Sequence, residues 1–127
     1  MEKKVNSFYD LETWKEAHKL VIEIYKITKQ FPSDERFGLI DQMRRAVSSI
    51  TANIAEGFTR FHYKDKVRFY YQSRGSIGEV QNFLILSRDL GYISKLQCKE
   101  LGEKSINVMK LINGLIRATS RQNAIPR

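Results

Sequence analysis

The stretch Leu39-Ile40-Asp41-Gln42-Met43-Arg44-Arg45-Ala46-Val47-Ser48-Ser49-Ile50-Thr51-Ala52-Asn53-Ile54-Ala55-Glu56-Gly57 decides the fold. Leu39, Met43, Ala46, Val47, Ile50 and Ile54 recur at three- and four-residue steps, which stacks side chains along one side of an α-helix. A polar line runs beside them: Gln42, Arg45, Ser49, Asn53 and Glu56, spaced three, four, four and three. At roughly 100° per residue these five fall within about 80° of one another. Such a ladder is unusual on a purely solvated surface. It predicts a hydrogen-bonded or interface network in which Arg45 lines up with Asn53 and Glu56. Arg44, turned about 100° away, is expected to face solvent. Ser33 is the expected N-cap, with Asp34 and Glu35 against the positive end of the helix dipole, so the helix should cover about 34–58.

The same period recurs three more times, and sustained period-two alternation does not occur. Upstream, Leu11, Trp14, Ala17, Val21, Ile24, Tyr25 and Thr28 predict a helix over about 10–30, capped by Asp10 and stopped by Pro32. Downstream, Phe69, Ser73, Ser76, Ile77, Val80, Phe83, Leu84, Ser87 and Leu90 give a broad buried face to a helix over about 64–90. Gly91 supplies a left-handed position to end it. Tyr71, Gly75, Gly78 and Asn82 occupy another side of that helix. An interior glycine costs about 1 kcal/mol relative to alanine, so Gly75 and Gly78 predict close approach of another helix. Ser94-Lys95-Leu96-Gln97 matches a capping box. It opens a helix over about 94–120 with Leu96, Leu101, Val108, Leu111, Ile112, Leu115 and Thr119 as its stripe, and 121–127 should fray. Four long amphipathic helices with short connections make an all-α, up-down-up-down antiparallel bundle, one domain over 1–127.

The 127 residues are 42% apolar and 28% charged, which excludes disorder and collagen-like repeats. The longest uncharged run, Ala46 to Ala55, is far shorter than the roughly 20 apolar residues a membrane span needs, so no membrane partner is expected. The lysines at Lys3 and Lys4 precede no apolar core, so no secretory signal is expected. The single cysteine, Cys98, suits a reducing compartment, and the expected location is the cytoplasm.

Chemistry-bearing motifs are scarce. There is no phosphate loop, and Gly75-Ser76-Ile77-Gly78 lacks the spacing of a dinucleotide site. His18 and His62 are the only imidazoles, and Glu56 and Glu79 are followed three residues on by Thr59 and Asn82, not by the histidine of a di-iron bundle. Ser48 and Ser49 have no base in reach of the pattern, and Cys98 reads as a small residue near the bundle surface. The expectation is a protein without catalysis, cofactor or metal.

The net charge of +8 is concentrated in the second half. Residues 104–127 hold Lys104, Lys110, Arg117, Arg121 and Arg127 and no acid. The stretch Phe58-Thr59-Arg60-Phe61-His62-Tyr63-Lys64-Asp65-Lys66-Val67-Arg68-Phe69-Tyr70-Tyr71 alternates aromatic and basic residues. Two readings stay open. Phe58, Phe61, Phe69 and Tyr70 close the bundle end, or aromatic rings stack on unpaired bases while the cations meet phosphates. The candidate nucleic-acid contacts are Arg44, Arg60, Lys64, Lys66, Arg68, Arg74, Lys104, Lys110, Arg117 and Arg121. The candidate structural or interface set is Gln42, Arg45, Ser49, Asn53, Glu56, Gly75 and Gly78. The rival partner is an acidic protein, which would make the chain an adaptor.

Trp14-Lys-x-Ala17-His18, Phe31-Pro32-x-x-Glu35, the block from Gln42 through Arg44-Arg45-Ala46 to Ala55-Glu56-Gly57, and Arg74-Gly75-Ser76-x-x-Glu79 resemble the bacterial family of 23S rRNA intervening-sequence proteins. The resemblance covers about residues 8–115. It implies left-handed up-down bundles assembled into homopentameric rings, which would give the small-residue side of the third helix a partner. The family takes its name from genes inside rRNA insertions, and ribosome membership does not follow. A more distant similarity, to the accessory variability determinant of diversity-generating retroelements, implies binding of nucleic acid and a reverse transcriptase.

Overall fold

In a computed structural model, which describes residues 4–123, the apolar stripes become α1 (Glu12–Thr28), α2 (Leu39–Thr59), α3 (Tyr63–Asp89) and α4 (Lys95–Asn123). Two single 3₁₀ turns, Phe8–Asp10 and Ser33–Glu35, precede α1 and α2, and no strand occurs among the described residues. Each helix packs on two others, α1 on α2, α2 on α3, α3 on α4 and α4 on α1. Side-chain bonds fix the register. Ser87 Oγ reaches Met43 Sδ at 3.4 Å, and Ser73 Oγ donates to the Ile50 carbonyl at 2.8 Å. Cys98 Sγ meets the Leu84 carbonyl at 3.6 Å, and Arg74 donates to Asn113 at 3.1 Å. Thr13 donates to the Leu111 carbonyl and Gln30 to the Tyr92 carbonyl. In each pair one number rises as the other falls, so α2/α3, α3/α4 and α1/α4 run antiparallel.

One core results. Leu20, Ile24, Met43, Val47, Ile50, Ile54, Ile77, Val80, Leu84, Val108 and Ile112 are essentially inaccessible. Each such aliphatic side chain contributes about 1.5–3 kcal/mol by leaving water. Ser73, Ser87 and Ser105 are buried among them, and their hydroxyls donate to the carbonyls of Ile50, Phe83 and Gly102. A small buried polar group with its bond made costs little and lets helices approach closely.

Ser94 and Gln97 form the expected capping box: the Ser94 amide donates to Gln97 Oε1 at 2.8 Å and the Gln97 amide to Ser94 Oγ at 3.0 Å. Gly91, at φ +79°, ends α3, with its own amide bonded to the Arg88 carbonyl and the Tyr92 amide to that of Ser87. This left-handed turn satisfies two carbonyls that the helix end would leave open.

Several local expectations are corrected. Asp10 does not cap α1; its carboxylate turns back to accept from the Asn6 and Ser7 amides, and the cap position is Leu11. Ser33 does not start α2, which begins at Leu39, because the chain after Pro32 first makes its 3₁₀ turn. Glu35 then serves the helix entrance, accepting from the Leu39 amide at 3.4 Å and the Tyr92 hydroxyl at 3.0 Å. On α1, Leu20 is buried where Tyr25 is exposed. On α3, Tyr70 takes the core position, and Leu90, just past the helix end, is exposed; on α4, Leu96 is exposed and Cys98 is buried. Helix α4 continues through the start of the expected frayed tail to Asn123, and residues 124–127 lie outside those described.

Burial pushes the Tyr70 phenol up to about 12. Above pH 10 the unfolded chain would release that proton while the folded chain keeps it, so stability present below pH 10 is lost between about pH 10 and 12. The loss is about 2–3 kcal/mol. Tyr70→Phe is expected to remove this part of the alkaline destabilisation, read as urea midpoints at pH 9 and pH 11 for both proteins. An identical midpoint drop in the variant would show that Tyr70 does not contribute.

Candidate nucleic-acid interface

The antiparallel pairing of α3 with α4 brings the start of one beside the end of the other. Lys64 and Arg68, one turn apart, are exposed on α3. Lys110, Arg117 and Arg121 are exposed on α4 at spacings of seven and four, which keeps them on one side of the helix. Arg74 is half-buried between the two helices, bonded to Asn113 on α4 and with its guanidinium 4.6 Å from the centre of the Tyr71 ring. Arg68 lies 3.9 Å from Asp65, and none of Lys64, Lys110, Arg117 and Arg121 pairs with a carboxylate among the described residues.

The other basic candidates fall elsewhere. Lys66 donates to the Phe58 carbonyl at 2.6 Å, and partial burial holds its ammonium below the usual lysine range. It closes the α2–α3 turn. Arg60 pairs with Glu56 at 2.7 Å and lies over the Phe69 ring. Lys104 pairs with Glu23 of α1 in a cleft of about 410 Å³ also lined by Glu16, Glu100 and Glu103. That cleft is acidic, so Lys104 does not join the basic face. Arg44, expected in solvent, is half-buried: Nε donates to Thr28 Oγ1 at 2.9 Å and Nη2 to the Tyr25 carbonyl at 3.2 Å, with its guanidinium over the Tyr25 ring. It satisfies the C-terminal end of α1, where carbonyls and dipole both favour a cation.

The aromatic segment divides. Tyr70 is buried, Phe58 and Phe69 are half-buried under Lys66, Arg60 and Arg68, and these close the bundle end. Phe61 is 76% exposed and Tyr71 is 48% exposed. The packing account therefore holds for three rings and fails for Phe61.

The polar ladder also divides. Ser49 Oγ bonds Ser76 Oγ across to α3 at 2.6 Å, and Asn53 Nδ2 donates to the Ser49 carbonyl. Arg45 pairs with Asp41 at 3.6 Å and Glu56 with Arg60, so the expected alignment of Arg45 with Glu56 does not form. Eleven residues of helix separate them by about 16 Å, too far for side chains to meet. Gln42, Arg45 and Ser49, with Ala46, Glu79 and Phe83, line an open cleft of about 250 Å³ between α2 and α3. Gly75 and Gly78, expected at a close approach, have nothing within 4 Å of an added Cβ and are exposed. The glycine in close contact with a neighbouring helix is Gly57, whose Cβ would fall 2.7 Å from Tyr70 Cε1 and 3.0 Å from the Lys66 carbonyl oxygen. No cluster of three or more histidine, cysteine, aspartate or glutamate side chains is placed to hold a metal among the described residues. No helix among them is long and apolar enough to cross a membrane.

The family model for the 23S rRNA-intervening sequence protein matches residues 9–114. The chain belongs to this family. The structure is similar to the crystal structure of a protein of unknown function from the S23 ribosomal protein family of Bacteroides thetaiotaomicron. The two are 21% identical with a TM-score of 0.77, over 83% of this chain and 95% of that one, a likeness of fold. Among curated proteins none matches. In this 23S rRNA-intervening sequence family member, Asn113 was not marked by any sequence signal. Its role as the anchor of Arg74 depends on a partner 39 residues away, which only the α3–α4 register supplies.

Proposed function

We propose that the chain is a non-enzymatic helical scaffold that assembles with copies of itself and holds nucleic acid, RNA or DNA, on a basic face. That face comprises Lys64, Arg68, Lys110, Arg117 and Arg121. The observation that carries this reading is that all five are exposed and, Arg68 apart, pair with no carboxylate among the described residues. Unpaired exposed cations are available to displace counterions from a phosphate backbone, and that release drives sequence-independent binding. The acidic α1–α4 cleft lies apart from them.

Self-assembly into a left-handed homopentameric ring is what the family resemblance implies. The C-terminal half of the exposed side of α3, past the part that carries Lys64, Arg68 and Tyr71, supports docking: Gly75 and Gly78 leave its backbone uncovered, and Ile85 and Leu86 are 48% and 42% exposed. Repetition around a ring multiplies the basic field. An acidic protein would meet the same cations, but the exposed aromatic rings among them favour nucleic acid. The proposed location is the cytoplasm.

Light scattering on the purified protein before and after nuclease tests both halves. The expected particle is a multiple of 14.9 kDa, about 75 kDa for five copies, with an excess absorbance at 260 nm that nuclease removes. A particle that stays at 14.9 kDa at high micromolar concentration contradicts assembly. Partners that survive nuclease, with no nucleic acid bound at any salt, contradict the nucleic-acid half in favour of the adaptor.

A further inference from the structure

We infer that the basic face takes an unpaired nucleic-acid strand in preference to a duplex, stacking bases on Phe61 and Tyr71 while Lys64 and Arg68 meet the intervening phosphates. This rests on the nucleic-acid reading above and specifies its ligand. Of the aromatic rings around the α2–α3 turn, Phe61 and Tyr71 are the ones that packing leaves uncovered, at 76% and 48% exposure. Phe61 occupies the turn itself, edge-on to His62 with ring centres 5.1 Å apart. Tyr71 lies eight residues into α3, about 12 Å from its first residue. Lys64, Arg68 and Tyr71 recur at steps of four and three, so they share one side of the helix.

Tyr71 is also held in place. The Arg74 guanidinium lies over its ring at 4.6 Å, and Asn113 anchors that guanidinium from α4 at 3.1 Å. A ring backed by a fixed cation is a rigid platform that loses little freedom when a base stacks on it. Any base has a π-face, so such contacts tolerate sequence, but a base inside a duplex is already stacked on both sides. Exposure alone would not single out these rings. Phe37, at the opposite end of the bundle, is 87% exposed, but it stands in a stretch where Asp34, Glu35 and Asp41 offset Arg36. The Phe61–Tyr71 end combines exposed rings with an excess of cations.

The test is fluorescence anisotropy with a labelled, unstructured strand of roughly 20 nucleotides, as RNA and as DNA, and with the same sequence as a duplex, at about 100 mM salt. Single strands are expected to bind at least tenfold more tightly than duplex, with RNA and DNA within about threefold, since base stacking and phosphate contacts do not depend on the sugar. Phe61→Ala with Tyr71→Ala should weaken single-strand binding by about tenfold or more and duplex binding by less than twofold. Phe61→Trp should restore part of the loss in the Phe61→Ala protein. Circular dichroism melting confirms that the exposed substitutions leave the fold intact. Equal affinity for strand and duplex, or equal losses on both in the double variant, would overturn the inference while leaving nucleic-acid binding in place. Absence of binding to every probe at 50 mM salt would overturn both.

Discussion

Replacing Lys64, Arg68, Arg117 and Arg121 together by glutamine is expected to weaken binding to a single strand by about 10²–10³-fold at 0.1 M salt. Each cation that neutralises a phosphate on a single strand contributes roughly 0.7 to the slope of log K against log salt. Four such contacts therefore account for a slope near −3, and at 0.1 M that corresponds to about three orders of magnitude. The four side chains are exposed, so their loss leaves the core untouched. Lys104→Gln is the matched control, since Lys104 spends its charge on Glu23 in the acidic cleft. It should change affinity by less than about twofold. Electrophoretic mobility shifts on the quadruple variant and the control decide the matter. Equal affinity of the quadruple variant and wild type would remove the face from the account.

The second large effect concerns the fold that presents this face. Gly57→Ala is expected to destabilise the protein by about 2 kcal/mol, lowering the melting midpoint by roughly 5–10 °C. Alanine would gain up to about 1 kcal/mol of helix propensity at this position. That gain is outweighed, because the new methyl would meet a Tyr70 ring atom at 2.7 Å and a backbone oxygen at 3.0 Å. Tyr70 is buried and the Lys66 carbonyl belongs to α3, so relief requires α3 to move off α2 at the turn that carries the basic residues. Gly75→Ala and Gly78→Ala provide the contrast. Each should stabilise the isolated chain by about 0.5–1 kcal/mol, because nothing lies within 4 Å of either added Cβ. If copies dock on this side of α3, the same two variants should also weaken assembly. Thermal melts at low concentration separate the two effects from one another.

Helix existence was legible because the apolar period of α2, α3 and α4 is long and uninterrupted, and because Ser94-Lys95-Leu96-Gln97 and Gly91 are local signals with local causes. Where a boundary depended on tertiary partners the local signal misled. Ser33 has the chemistry of a cap, yet α2 begins six residues later because Glu35 is claimed by the Leu39 amide and the Tyr92 hydroxyl from the far side of the chain. Arg44 and Lys104 look like free cations in sequence; each is paired by a helix neighbour that spacing does not reveal. The glycines show the same limit. Gly75 and Gly78 announce themselves by sitting mid-helix, whereas Gly57, placed near a helix end, makes the close contact. At the basic face, composition located the charge in the second half of the chain. Only the antiparallel register of α3 and α4 could place Lys64 and Arg68 at the same end as Arg117 and Arg121.

Binding of nucleic acid through its phosphates at this end of the bundle is tested by the affinity of the intact protein for single-stranded RNA and DNA from 50 to 300 mM salt. The expected result is a straight line of log K against log salt with a slope of about −3 or steeper. A flat line, or no binding to either strand at the lowest salt, would contradict it.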